Sequence, residues 1–270
     1  MAPPAIHLPT LSSHLGAHAR RLAIDILPQC GSTNAILLAR AEAGAPGCST
    51  VVALEQTSGR GRRGRTWISS IGNSLTFSML WRFPADTAIA GLSLAVGVAV
   101  ARALEKVGAD ATAAPSGSPS PAIRLKWPND LLQDGKKLGG ILIELVPGNR
   151  NAAVIGIGVN LRSSLNLPEE LRATATALSR AIDSNTILAS LLKELVDTMD
   201  RFARGGFAAL RAEWLQRHAF QDAPVRLLSD FAAAREGYCR GVDDDGALLF
   251  DGDNGLERIL SGEISLRAAT

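Results

Sequence analysis

Gly59-Arg60-Gly61-Arg62-Arg63-Gly64-Arg65 sets four guanidiniums on a backbone loosened by three glycines. Such a loop can fold over a polyanion, each guanidinium offering paired donors to phosphate or carboxylate. The spacing matches the G-x-G-x-x-G dinucleotide fingerprint, but the stretch from Thr66 to Asn73 has no helical periodicity and the variable positions are arginines, which argues against a dinucleotide turn. A solvated turn or a Gly/Arg stretch that binds RNA fits this segment alone equally well. Lys126-Trp127-Pro128-Asn129-Asp130 brings an ammonium, a carboxamide and a carboxylate within one turn at a strand exit, a cation for phosphate and a hard oxygen for metal. In Lys137-Leu138-Gly139-Gly140 a lysine precedes paired glycines that let a ligand lie against the backbone. Gly156 and Gly158 alternate along Ile155-Gly156-Ile157-Gly158-Val159-Asn160, leaving one strand face bare beside a terminal amide. Close packing of a helix over that strand is the plain alternative.

These residues need a scaffold. Residues 23–27 read as a strand ending near Pro28, and Ser32 and Thr33 open an Ala/Leu-rich helix stopped by Gly44. A second strand covers 50–55. Leu75, Phe77, Met79 and Trp81 alternate with Thr76, Ser78 and Leu80, a period of two that predicts a half-buried strand. From Leu92 the apolar spacing becomes helical through Val96, Val100 and Leu104, predicting a helix over 87–107. Residues 109–121 are Ala, Ser, Pro and Gly with almost nothing large and apolar, the composition of a mobile, dispensable insert. Strands over 123–126, 138–146 and 152–159, separated by Asp134-Gly135 and Pro147-Gly148-Asn149, predict an antiparallel meander. Helices follow over 185–202 and 207–218, then short strands with Asp/Gly turns. The expected organisation is a short leader over 1–21, a larger α+β unit over 22–222 and a small β barrel over 223–270.

Composition narrows the classes. The 270 residues are 46% hydrophobic and carry a formal charge of +2, enough for a real core and too little charge to attract nucleic acid or anionic lipid globally. No apolar run reaches the roughly 20 residues that span a bilayer, and the N-terminus lacks the basic start and apolar run of a secretory signal. Cys30, Cys48 and Cys239 have neither pairing nor metal-ligand spacing, which fits a reducing cytoplasm. Aromatics at 4% supply few stacking platforms for bases.

Taken in order, Ser32-Thr33-Asn34, Gln56 through Trp67 with its arginine loop, Lys126-Trp127-Pro128-Asn129-Asp130, Lys137 through Leu142 and Gly156 through Asn160 resemble the biotin protein ligases, and Gly262 through Arg267 resembles the end of their small C-terminal barrel. The resemblance implies an α+β fold with a mixed, largely antiparallel sheet, a class II synthetase-like catalytic domain, and an SH3-like barrel. It implies that biotin carboxylate attacks the α-phosphate of ATP, and that a lysine of a biotin carboxyl carrier protein then displaces AMP. Biotin-binding residues are by this analogy Ser32, Thr33, Asn34, Gln56, Gly59, Arg60, Gly61, Arg62, Lys137, Gly140, Gly156 and Gly158. ATP-binding residues are Arg62, Arg63, Arg65, Trp67, Lys126, Asn129 and Asn160. Lys137, Arg62 and Lys126 carry the catalytic charge, Asp130 takes Mg²⁺, and the arginine loop closes over the adenylate. The helix-turn-helix of repressor members has no counterpart here, so DNA is not an expected partner; the short apolar runs give no expectation of a membrane, and a homodimer is left open. Lipoate ligases of the same fold and a non-enzymatic RNA-binding module are the competing readings.

Overall fold

Every second residue of β3 (Ser74–Arg82) is apolar, and the strand is central because both of its faces are covered. The computed structural model describes residues 6–110, 123–162, 168–178, 182–229, 232–260 and 264–269. Its larger sheet has the order β1 (Ala23–Leu27), β2 (Ser49–Ala53), β3, β7 (Asn149–Asn160), β6 (Lys136–Val146), β5 (Asp130–Gln133), β4 (Arg124–Lys126). Only β1 and β2 are parallel; β4 to β7 form the antiparallel meander. Leu75, Phe77, Met79 and Trp81 point into the main core with Ile155, Ile157 and Val159 of β7. Against that face pack α3 (Leu92–Asp110) and α5 (Ser184–Gly205). In α5, Ile187, Leu188, Leu191, Leu192, Leu195, Val196, Met199 and Phe202 recur at three and four residues, so one stripe is buried. Asp183 caps the helix by accepting from the Thr186 amide at 2.9 Å.

The opposite face is only partly closed. There α2 (Thr33–Glu42), capped by Ser32, sets Leu37 and Ala41 on Val51, Leu80 and Val154. Beside that small core the polar residues of β3 lie under a cleft, so Thr76 and Ser78 are buried rather than solvent-facing. The strand is thus covered on both sides, not half-buried as the period of two suggests.

Three further differences from the sequence reading have physical reasons. Residues 8–21, expected within a leader, are helical: α1 (Leu8–Leu15) has Pro9 in its first turn and buries Leu11 and Leu15 against α5. Helix α3 begins at Leu92, after a turn at Gly91 with φ of 72°, and continues to Asp110, so 87–91 are not helical and 109–110 are. The rest of the 109–121 insert lies outside the described residues. A short helix α4 (Glu169–Thr174) and strand β5 had no counterpart in the expectation.

After α6 (Ala208–Arg217) the chain forms a five-stranded antiparallel sheet in the order β11 (Gly255–Ile259), β10 (Leu248–Gly252), β9 (Arg235–Val242), β8 (Ala223–Ser229), β12 (Ile264–Ala268). Among the described residues no helix is long and apolar enough to cross a membrane.

Candidate active site

Register places small residues side by side. Thr76 of β3, Gly158 of β7, Gly140 of β6 and Asp130 of β5 form one cross-strand row, and Ser78, Gly156 and Leu142 form the next. Directly opposed residues share a face, so these rows, with Ser78 fully buried beneath Thr33 and Asn34, are the floor of a cavity of about 560 Å³. The glycine face is not bare. A Cβ at position 156 would collide with the Asn34 amide, one at 158 with the Trp67 ring, and one at 140 would sit 3.3 Å from Lys137 Nζ. The glycines therefore admit side chains from other segments, and those side chains wall the cavity.

One end is neutral and rich in hydrogen-bonding groups. Gln56 Oε1 accepts from the Thr33 amide at 2.7 Å and lies 3.1 Å from its hydroxyl oxygen. Ser78 Oγ donates to Asn34 Oδ1 at 2.5 Å and lies 2.6 Å from Thr33 Oγ1, from which it accepts. Ser32, Thr33, Asn34, Gln56 and Ser78 are all buried.

The other end is cationic. Lys137 Nζ lies 2.6 Å from Asp130 Oδ1, and Lys126 Nζ lies 3.4 Å from Oδ2. Burial pushes the Asp130 carboxyl up, but the two ammoniums outweigh it and hold the group below its ordinary range. Burial pushes the Lys126 ammonium down despite Asp130, so it is held charged by an ion pair rather than by water. Arg62 is half-buried, which lowers its pKa against the pull of Asp130, and its Nη1 donates to Asn129 Oδ1 at 3.4 Å. Asn129 Nδ2 in turn donates to the Ile141 carbonyl at 2.9 Å, pinning the strand exit to β6. Asn160 Nδ2 donates to the Thr176 carbonyl at 2.9 Å and to that of Lys137 at 3.4 Å.

The arginine loop spans the two ends. Its base is closed by the Arg60–Thr66 bridge and by Trp67 N donating to Gly59 O at 2.9 Å. Gly59 is required there, since a Cβ would strike the Trp67 carbonyl. A single 3₁₀ turn covers Arg62–Gly64, with Arg63 at φ of 58°, so no helix follows the glycines. Arg62, Arg63, Arg65 and Gly61 line the cavity. Arg60 also lines it, but its guanidinium is turned to Glu144 at 2.9 Å rather than toward Asp130 and the lysines. Trp67 lies over Gly158 and donates to Thr76 Oγ1 at 3.3 Å.

Sequence reasoning missed Thr76 and Ser78, whose polar side chains in an otherwise apolar strand were the available signal, and it assigned no role to Glu144. It gave no site role to Ile264, Ser265 and Arg267, which bring the C-terminal sheet to the cavity wall. A protein-held metal does not fit: Asp130 is the one carboxylate among the described residues lining the cavity, and those residues hold no cluster of three His, Cys, Asp or Glu groups. The donor set suits a cation that arrives already coordinated by phosphate and takes one further oxygen.

Known proteins share these features. The model of the biotin/lipoate A/B protein ligase family matches residues 28–160, and that of the biotin protein ligase C-terminal domain matches 224–267. The chain is 37% identical to the bifunctional ligase/repressor BirA of Escherichia coli, over 91% of this chain and 74% of that protein. It is 35% identical to the biotin--[acetyl-CoA-carboxylase] ligase of Mycobacterium tuberculosis, over 88% of this chain and 86% of that one. The biotin protein ligase of Aquifex aeolicus in complex with biotin and ATP superposes with a TM-score of 0.75 at 29% identity, covering 91% of this chain and 99% of the other.

Proposed function

The chain belongs to the biotin/lipoate A/B protein ligase family, and from that premise we infer that it is an enzyme, a biotin protein ligase that consumes ATP. Biotin carboxylate attacks the α-phosphate of ATP, a P–O bond forms and pyrophosphate leaves. The amine of a carrier lysine then attacks the acyl carbon of biotinyl-5′-AMP, and AMP leaves with the bonding pair as an amide forms.

The observation that carries this reading is the polarity of one cavity, with neutral amides and hydroxyls at one end and Lys126, Lys137 and Arg62 around Asp130 at the other. A fused ureido ring matches the first end, and a carboxylate meeting a polyphosphate needs the second. A lipoyl ring has no ureido group to bond Ser32, Thr33, Asn34 and Gln56, which favours biotin over lipoate. Lys137 holds the carboxylate and then the acyl phosphate, while Lys126 and Arg62 face the α-phosphate. Asn129, Asn160, Arg63 and Arg65 serve the nucleotide, and Trp67 forms the wall beside its base. Asp130 would offer one oxygen to a Mg²⁺ bound with ATP, whose charge would offset that of the phosphates.

The acceptor is a carrier domain of a biotin-dependent carboxylase, as the names of the relatives suggest. Three free thiols, Cys30, Cys48 and Cys239, support a cytoplasmic setting. Incubating the protein with biotin, MgATP and a carrier domain should raise the carrier mass by one biotinyl group on one lysine. An unmodified carrier, or equal labelling with lipoate, contradicts the reading.

A further inference from the structure

Glu144 is the one charged residue in the run from Leu138 to Val146, and it sits one cross-strand row past Leu142 and Gly156, beyond the neutral end of the cavity and under the arginine loop. Its Oε2 accepts from Asn34 Nδ2 at 2.7 Å and from Arg60 Nη2 at 2.9 Å. These donors belong to segments distant in sequence, the first turn of α2 and the root of the arginine loop. Asn34 has little freedom. It is 4% exposed, lies against Gly156 and gives its oxygen to Ser78 at 2.5 Å, so its nitrogen must face an acceptor. Arg60 is exposed, and an exposed arginine keeps one orientation only when a partner holds it.

We propose that Glu144 is a positioning residue: it fixes the orientation of the Asn34 amide at the neutral end and anchors the arginine loop through Arg60. One carboxylate thereby sets both the ring-binding end and the loop that covers the phosphates. Asn34 would turn a fixed amide to the biotin ring, a role that rests on the ligase reading; the tie to the loop does not depend on it. Both donors meet the same oxygen, Oε2, so a glutamine here can keep the two contacts in outline and loses the negative charge that strengthens them.

The test uses the full-length protein as wild type, Glu144→Gln, Arg60→Gln and the double variant. Hydrogen exchange at the amides of residues 59–66 in the free protein reads the tie. Biotin affinity, and biotinyl-adenylate escaping per pyrophosphate formed, read its consequences. Glu144→Gln should speed loop exchange, weaken biotin by about tenfold, the size of one charge-assisted hydrogen bond, and raise adenylate escape. Arg60→Gln should speed loop exchange equally with a smaller effect on biotin, and the double variant should exchange no faster than either single one. Unchanged loop exchange in Glu144→Gln, or additive effects in the double variant, overturns the proposal. If Glu144→Gln melts too early to assay, unchanged exchange in the surface variant Arg60→Gln overturns it equally. Wild-type protein that fails to bind biotin contradicts the ligase reading, whereas binding unaffected by Glu144→Gln contradicts the role at Asn34.

Discussion

Trp127 Nε1 donates to the carbonyl oxygen of Gly246 at 3.1 Å, tying the strand exit that carries Lys126 and Asn129 to a turn of the C-terminal sheet. The indole is 1% exposed, so this polar contact is made away from water. Gly246, at φ of 78°, would press a Cβ to 2.8 Å from the Gly91 Cα, which is why the turn approaches so closely. With Ile264, Ser265 and Arg267 on the cavity wall, the C-terminal sheet is part of the site rather than an appendage.

Trp127→Phe removes the indole N–H and shrinks the ring, leaving the Gly246 carbonyl buried without its donor beside a small void, a combined loss on the order of 3 kcal/mol. Calorimetry should find Tm lowered by roughly 2–12 °C. A Tm equal to wild type would show that the contact carries no stability.

Leu11 is fully buried and packs in the main core, whereas Leu8 on the same helix is 46% exposed. Leu11→Ala should cost about 2–5 kcal/mol, and Leu8→Ala should fall within about 0.5 kcal/mol of wild type. Equal denaturant midpoints for the two variants would mean that residues 8–15 do not belong to the core.

The residues of the site were more legible than their arrangement. Lys126, Asp130, Lys137 and the arginines were readable because charges beside glycines and proline stand out against an apolar chain. Gly156 and Gly158 were readable as a bare strand face, but not that Asn34 and Trp67 would cover it, because those contacts join segments about 90 to 120 residues apart and no local pattern encodes them. Pro128 suggested a chain leaving the sheet, whereas the chain turns straight back as β5 and lays Asp130 beside Gly140. Helix α1 carried a signal, Pro9 in the first turn with Leu8, Leu11 and Leu15 on one face, which the surrounding His and Ala residues obscured.

His218 adds a pH dependence. Its ring stacks on Trp214 at 4.5 Å and lies 3.9 Å from Cys239 Sγ, and burial pushes its pKa down from 6.5 to about 4, with Gln221 and Asp222 only partly opposing. Between those values the unfolded chain binds a proton that the folded chain does not. Stability from this group is therefore full above pH 6.5 and declines as pH falls toward 4, by about 3 kcal/mol in total. His218→Gln should flatten the plot of stability against pH in that window, measured by urea unfolding. A slope unchanged by the substitution would assign the acid sensitivity elsewhere.

Lys137 touches Asp130, whereas its neighbour Lys136 is exposed at the rim of the same cavity. Lys137→Ala should slow adenylation roughly a hundredfold, on the order of 3 kcal/mol as for other preorganised donors. Lys136→Ala should be close to wild type. Equal losses in pyrophosphate release would show that the charge matters only as bulk potential.

The central claim is that a biotin carboxylate attacks ATP at the junction of the two ends of the cavity. Pyrophosphate release from MgATP by the purified protein, measured with and without biotin and before any carrier is added, tests it most directly. Release should occur only when biotin is present, stopping near one equivalent per protein as the adenylate is retained. Release at the same rate in the absence of biotin would contradict it.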